Sequence, residues 1–160
     1  MSIPERVLRL AGSYYRKEGV SEKDFHEFLS RRHGVECGKL HEKYGLFKYQ
    51  LAFSTSSTQE LARSLKLPNA IDEHDLRIEY YFKDVSTLLA ISADEDFKAL
   101  HVECYPYIRV DNSTVHLSWI EVYLEDGKLA NIDSEGTSLQ PSFEELSQIQ
   151  ASDKPVNKYY

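Results

Sequence analysis

The chain has 160 residues, of which 41% are hydrophobic and 28% charged, and its formal net charge at pH 7 is −7. This length and composition predict one soluble globular domain with a core of its own. The acidic balance argues against a general surface for nucleic acid or anionic membranes, and no apolar run approaches the roughly 20 residues that span a bilayer. The two cysteines, Cys37 and Cys104, lack metal-binding spacing, so reduced thiols in the cytoplasm are expected.

The first predicted element is a strand over Val7–Arg16, in which successive side chains point to opposite faces. One face, expected to meet helices, carries Leu8, Leu10, Gly12 and Tyr14. The other, more polar face carries Arg9, Ala11, Ser13 and Tyr15. A glycine inside a strand indicates a bulge or the close approach of another group.

A turn and a helix follow in the stretch RKEGVSEKDFHEFLSRRHG, residues 16–34. Ser21 is a good N-cap residue, and Gly34 stands where a left-handed C-cap would end the helix. His33 is then the last helical residue, at a terminus whose dipole favours a protonated imidazole. His41, in the following short segment, is expected to face solvent.

The later segments alternate between strand and helix patterns. Strands are predicted over 46–53, 75–82 and 114–125, and a polar insertion over 53–75 is either a lid, a binding loop or a solvated surface segment. A helix over 95–103 would bury a stripe containing Phe97, Leu100, His101 and Cys104. Residues 131–160 depart in composition and are expected to form an arm rather than a second domain.

This order of elements predicts an α+β fold, a ferredoxin-like βαββαβ sandwich over residues 1–130 with a C-terminal extension over 131–160. The helices in this order of elements are enough to cover only one face of the sheet. The open face needs a partner, and a homodimer is the expected solution.

Three blocks of sequence carry a family resemblance. They are RKEGVSEKDFHEFLSRRHG (16–34), FKALHVECYPYIRVD (97–111) and WIEVYLEDGK (119–128). In this order the chain resembles the EthD family of dimeric α/β barrels, and more narrowly the fungal EthD-type decarboxylases and dehydratases of aromatic polyketide biosynthesis. Val35 follows the His-Gly pair where that family usually has proline. The resemblance implies a homodimeric barrel and a small aromatic polyketide-like substrate.

The side chains that remain as candidates for catalysis are histidines, tyrosines and carboxylates. The chain has no phosphate-binding glycine loop, no dinucleotide fingerprint, no zinc spacing and no nucleophile elbow. We therefore expect acid–base catalysis without a cofactor or metal. His33 and His101, supported by the resemblance, are the predicted catalytic pair, with His33 as acid, His101 as base and Tyr15 orienting a substrate oxygen.

Further side chains are candidates for holding the substrate: Tyr49, Tyr81, His26 and His116. Each of them also has an ordinary structural explanation, as a half-buried strand residue or an exposed helix residue. Decarboxylation of a β-keto acid and dehydration of a β-hydroxyketone both fit this set. A cyclase or Diels–Alder-type catalyst, a cofactor-free monooxygenase and a non-catalytic accessory protein are the alternatives.

Overall fold

The computed structural model describes residues 2–149, in which a four-stranded sheet is covered by helices on one face. The sheet contains β1 (Val7–Arg16), β2 (Lys48–Phe53), β3 (Leu76–Phe82) and β4 (Ile108–Ile120). The helices are α1 (Glu22–Phe28), α2 (Gly34–Lys43), α3 (Ser56–Ser64), α4 (Val85–Ala93), α5 (Glu95–Cys104) and α6 (Phe143–Ser147). A small hairpin joins β5 (Leu124–Glu125) to β6 (Lys128–Leu129).

The strand order is β2-β3-β1-β4, and every neighbouring pair is antiparallel. With a helical crossover between β1 and β2 and another between β3 and β4, this is the ferredoxin-like α+β fold, as predicted. Among residues 2–149, no helix combines the length and apolar content needed to cross a membrane.

Alternation along the strands divides the sheet into an apolar face and a polar face. Leu8 and Ile78 point from the two central strands into the core beneath the helices, where Phe25 and Leu29 meet them. These four side chains are at most 5% exposed. Removing so much apolar surface from water supplies most of the driving force for the fold. The opposite face has no helix over it in the described part of the chain.

The first helical crossover differs from the prediction. Helices α1 and α2 are joined without a break by a π-helical turn, Leu29–His33, and Gly34 has helical dihedral angles, φ −61° and ψ −39°. The predicted helix end at Gly34 is therefore wrong. The Gly34 N–H donates to the Leu29 carbonyl, five residues back, and a Cβ at position 34 would lie 2.9 Å from that oxygen. Glycine here allows the wide turn rather than ending the helix.

The last strand of the sheet also begins earlier than predicted. The strand was predicted to begin at residue 114, but Ile108 already pairs with Arg16 on β1. The pairing between β1 and β4 shifts register between Ser13 and Tyr15. This irregularity lies beside the candidate site described below.

The described part of the C-terminal extension packs against the start of β1. The guanidinium of Arg6 donates to the carbonyls of Leu146 and Gln148 at 3.1 and 3.0 Å, and Leu146 is buried. Residues 150–160 lie outside the described residues. The division at residue 130 stays a prediction.

The polar insertion between β2 and β3 is ordered around α3. Thr55 caps the helix, and the Glu22 carboxylate at the start of α1 accepts hydrogen bonds from the Ser56 N–H at 2.8 Å and the Ser56 hydroxyl at 2.6 Å. Three leucines on and after α3 remain more than half exposed: Leu61, Leu65 and Leu67.

Candidate functional site

Polar side chains, some buried and some half-buried, lie between the helices and the sheet, where the core would ordinarily be apolar. We call this group the histidine cluster; it comprises Tyr14, His33, Cys37, His41, Tyr49, His101 and Cys104. Its members come from β1, the helical stretch through α2, β2 and α5. Buried polar groups cost free energy unless they are paired, so a concentration of them marks a candidate site.

His33 lies between two thiols and is 2% exposed. The Cys104 Sγ atom is 3.1 Å from His33 Nδ1, and the Cys37 Sγ atom is 3.5 Å from His33 Nε2. Burial, with a smaller contribution from the nearby His101 ring, lowers the pKa of His33 to about 4. The expectation of a protonated imidazole at a helix end is therefore wrong, because the helix continues past His33 and the ring is desolvated.

His101 is the second predicted catalytic histidine, and the structure brings it close to the first. The ring centroids of His33 and His101 are 6.5 Å apart, and His101 packs edge-on against Phe97 at 4.5 Å. Burial lowers the pKa of His101 and so favours the neutral, basic form of the ring, whereas a hydrogen bond with the Phe97 backbone acts in the opposite direction.

Both histidines line a small enclosed cavity of about 20 Å³. The lining consists of Tyr14, His33, Ile78, His101, Cys104, Tyr105, Ile108 and Val110, and contains no charged side chain. This volume holds about one water molecule, so a larger ligand must displace part of the wall. Tyr105 and Val110 are 40% and 42% exposed and form the outer side.

The predicted tyrosine, Tyr15, lies on the other side of the sheet. Its ring contacts His74 at 4.3 Å and the guanidinium of Arg109 at 4.8 Å, so it cannot orient a substrate beside His33 and His101. Tyr14, the preceding residue, points to the helix face and lines the cavity. Adjacent residues of a strand point to opposite faces of the sheet, and this separates Tyr14 from Tyr15.

His41 was expected to be solvated, but it is 1% exposed. Neither of its ring nitrogens has a hydrogen-bond partner among the described residues, and its ring packs against Tyr49 at 4.5 Å and Tyr80 at 5.3 Å. Burial lowers the pKa of His41 to about 4. The sequence did contain a signal for the burial of His41. His33, Cys37 and His41 are spaced four residues apart, which places them on one helical face.

The two thiols and Tyr49 of the cluster are also neutral. Burial raises the pKa of Cys37 and of Cys104 to about 12. It also raises the pKa of Tyr49, whose hydroxyl faces the Cys37 thiol. Within residues 2–149, no three His, Cys, Asp or Glu side chains converge as metal ligands would. The cluster can therefore exchange protons and donate hydrogen bonds while carrying no net charge at neutral pH.

A second polar group occupies the open face of the sheet and contains two of the predicted substrate-binding residues. Glu79, 6% exposed, accepts hydrogen bonds from Arg9 at 3.3 Å and Tyr81 at 3.1 Å, and also from Gln50. Arg9 lies 3.5 Å from Nδ1 of His116. Tyr81 and His116 are thus separated from the histidine cluster by the sheet, whereas the predicted Tyr49 belongs to the cluster.

The remaining histidines lie outside the cluster. His26 is on the exposed side of α1, with its ring 4.7 Å from that of Phe53. His74 bonds Asp72 at 2.6 Å and the Asn112 carbonyl at 3.0 Å. Although burial acts against it, hydrogen bonds to those partners raise the pKa of His74.

A larger cleft of about 560 Å³ lies beside α3. Its lining includes Phe53, Gln59, Ala62, Arg63 and Ile71 but no histidine, tyrosine or cysteine. As a candidate active site, this cleft is favoured by its volume, whereas the small cavity is favoured by the acid–base side chains that line it. The cleft does contain a carboxylate, Asp72, but it is paired with His74 at 2.6 Å and Arg77 at 2.8 Å. Because acid–base catalysis needs a titratable group that is available to the substrate within hydrogen-bond reach, we place the candidate active site at the histidine cluster.

Comparison with known proteins adds family information to this geometry. The model of the EthD domain matches residues 17–105. A protein of Aspergillus terreus described as "Putative oxygenase" is 34% identical over 146 residues, covering 89% of this chain and 91% of that protein. The "Conidial pigment biosynthesis dehydratase EthD" of Metarhizium robertsii is 24% identical over 129 residues, covering 79% of this chain and 91% of that protein.

A solved structure gives the same fold. The crystal structure of an EthD family protein from Bacillus halodurans aligns with a TM-score of 0.50 and 16% identity, covering 70% of this chain and 96% of that one. At this level of identity the likeness concerns the fold alone.

Proposed function

Because the chain belongs to the EthD domain family, we propose that it is a cofactor-independent lyase that dehydrates a β-hydroxyketone intermediate of aromatic polyketide biosynthesis. The observation that carries this proposal is the uncharged cavity lined by a neutral His101. A dehydratase name among the relatives agrees with it.

The reaction needs one group that accepts a proton and later returns one. A ring nitrogen of His101 takes the proton from the carbon between the carbonyl and the hydroxyl-bearing carbon, and the bonding electron pair moves into an enolate. The enolate electrons then form the carbon–carbon double bond as the carbon–oxygen bond breaks. The departing hydroxyl takes the proton from His101 and leaves as water. Atoms and electrons balance without an oxidant or a metal.

The absence of charge in the lining favours dehydration over decarboxylation. A β-keto acid carries a carboxylate at neutral pH, and burying it without a cation or several donors is costly. None of the residues that line the cavity is a lysine or an arginine, and both thiols are held in the protonated form. A neutral β-hydroxyketone meets no such penalty.

His33 has a supporting role in this proposal. Its two ring nitrogens lie against the Cys104 and Cys37 thiols, and its low pKa makes it a poor proton donor at pH 7. A fixed, neutral ring behind His101 shapes the cavity and keeps the local dielectric low, which holds His101 in its basic form.

A cofactor-free monooxygenase is the second candidate. It is favoured by the name of the 34% identical relative from Aspergillus terreus. The same dry pocket and neutral base would generate a substrate enolate in either reaction. The two functions differ in whether molecular oxygen is consumed.

We further propose that the protein acts as a homodimer that joins two open sheet faces. The described chain leaves this face without a helix, and the edge strand β4 presents Thr114, His116 and Ser118 on it, paired with Ser13, Ala11 and Arg9 of β1. An uncovered sheet face with an unpaired edge strand favours association with another copy.

The testing experiment offers the purified protein two tricyclic probes: a β-hydroxyketone that aromatises to an anthrol on losing water, and the corresponding β-keto acid. Mass spectrometry with and without oxygen then reports the reaction. We expect loss of water from the first probe in both atmospheres. Loss of carbon dioxide alone, or a product that requires oxygen, would contradict the dehydratase proposal.

A further inference from the structure

Tyr14 lies beside the two histidines, where Tyr15 was predicted to orient a substrate oxygen. It is the next-to-last helix-face side chain of β1 before the turn, and it lines the same cavity as His33 and His101. Tyr15, by contrast, contacts His74 on the other face. Of two adjacent tyrosines, the structure therefore presents one to the cavity.

The ring of Tyr14 is folded back over Gly12. A Cβ atom placed on Gly12 would be 2.7 Å from the Tyr14 hydroxyl oxygen and 2.8 Å from its Cε2 atom. Such distances are shorter than any side chain tolerates, so Tyr14 keeps this orientation only because residue 12 has no side chain. Gly12 pairs with Ile78 and Val115 in the middle of the central strand, where glycine is unfavourable for stability.

The proposed reaction needs a hydrogen-bond donor for the enolate oxygen. Stabilising developing negative charge is commonly the largest single contribution to catalysis, and this cavity has no lysine or arginine to supply it. A phenol is a neutral donor with an ordinary pKa near 10. Two tyrosines line the cavity: Tyr105 lies on its exposed outer side, whereas Tyr14 is attached to the central strand β1.

We propose that Tyr14 is a catalytic residue whose hydroxyl donates a hydrogen bond to the substrate's carbonyl oxygen as the enolate forms, and that Gly12 is a positioning residue that fixes the Tyr14 ring for this task. The proposal rests on the proposed dehydration at His101. The proposal also requires a glycine two residues before the tyrosine on the first strand, because the glycine leaves room for the tyrosine ring.

The test is a double-mutant cycle on water loss from the tricyclic β-hydroxyketone. Tyr14→Phe keeps the ring and removes the donor, and we expect kcat to fall by about 10²–10³ with little change in KM. Gly12→Ala is expected to lower kcat by at least about tenfold, because it displaces the ring by an ångström or more. If Gly12 acts through Tyr14, the double variant is no slower than Tyr14→Phe alone.

Two control variants match these substitutions. Tyr15→Phe removes the neighbouring hydroxyl on the opposite face, and Gly38→Ala adds a methyl group where nothing lies within 4 Å. Both are expected to retain wild-type turnover. Additive losses from Gly12→Ala and Tyr14→Phe would overturn the positioning role of Gly12.

A second measurement does not depend on how Gly12→Ala folds. Fluorotyrosine at position 14 keeps the shape of the ring and makes the hydroxyl more acidic, so a donor to an enolate should change kcat while a structural ring should not. An unchanged kcat with fluorotyrosine or with Tyr14→Phe, alongside an inactive His101→Ala, overturns this inference alone. Full activity of His101→Ala instead overturns the proposed function.

Discussion

The Cys104 Sγ atom lies 3.1 Å from Nδ1 of His33, although the two residues are 71 positions apart in the chain. This contact joins the end of α5 to the junction of α1 and α2. Because both side chains are buried, neither can exchange this contact for one with water. The histidine cluster therefore links the two helices that cover the sheet.

Removing the Cys104 thiol should weaken that link. Cys104→Ala leaves a buried imidazole nitrogen without its partner, and we expect a loss of about 1–3 kcal/mol in the free energy of unfolding. Cys104→Ser keeps a donor of similar size and should lose less. Urea denaturation at pH 7 measures both. Equal losses in the two variants would show that packing, not the contact with His33, is responsible.

Replacing His101 should remove the proposed acid–base group. We expect His101→Ala to lower turnover of the β-hydroxyketone by roughly 10²–10⁴ while the near-UV circular dichroism stays native. His26→Ala is the matched control, since His26 is an exposed helical histidine outside the cluster. Comparable activity in both variants would rule out His101 as the base.

Two glycine substitutions in the same helical stretch should have opposite effects. Gly34→Ala places a Cβ 2.9 Å from the Leu29 carbonyl oxygen and 3.2 Å from Cδ1 of Leu51, and this overpacking should cost about 1–3 kcal/mol. Gly38→Ala meets nothing within 4 Å and should stabilise the helix by about 1 kcal/mol. Thermal unfolding of both variants gives the comparison, and stabilisation by Gly34→Ala would contradict the structure of the π-helical turn.

Stability should fall in acid because buried histidines resist protonation. The pKa of His41 is about 4 in the folded chain and about 6.5 when unfolded. The unfolded chain therefore binds more protons between these values, and stability decreases as the pH falls from about 6.5 to 4. His41→Leu should flatten this dependence in urea titrations at pH 7 and pH 5. An unchanged slope would mean that His41 does not contribute.

The open sheet face predicts association in solution. The chain mass is 18.5 kDa, and light scattering at micromolar concentration should give twice that value. His116→Lys adds a positive charge beside Arg9 on the open face of β4 and should shift the population toward monomer. A wild-type monomer under these conditions would exclude the proposed dimer.

The fold was predictable because its strands alternate clearly. In β3, Leu76, Ile78, Tyr80 and Phe82 are all buried, as a period of two requires. Likewise, the predicted inward stripe on α5 includes Phe97 and Cys104, which are buried. The same alternation predicts Tyr14 on the helix face and Tyr15 on the opposite face, where it contacts His74.

The surroundings of His33 and His41 could not be predicted in the same way. A pattern search at 3.6 residues per turn assumes a regular helix, and a glycine after a histidine usually indicates a helix end. Whether Gly34 ends the helix or permits a wide turn depends on the Leu29 carbonyl and the Leu51 side chain, which meet it only in the folded chain.

The π-helical turn also has a rotational consequence. Its hydrogen bond spans one residue more than that of an ordinary helical turn, so α2 lags by roughly 100°, the rotation of one residue, relative to an uninterrupted helix. This lag keeps Phe25 and Leu29 of the apolar core in line with His33, Cys37 and His41 of the cluster. A one-residue deletion within the turn would rotate the histidines toward solvent while the α1 core remained in place. Insertion of a single residue into an ordinary helix is thus enough to bring polar side chains beneath it.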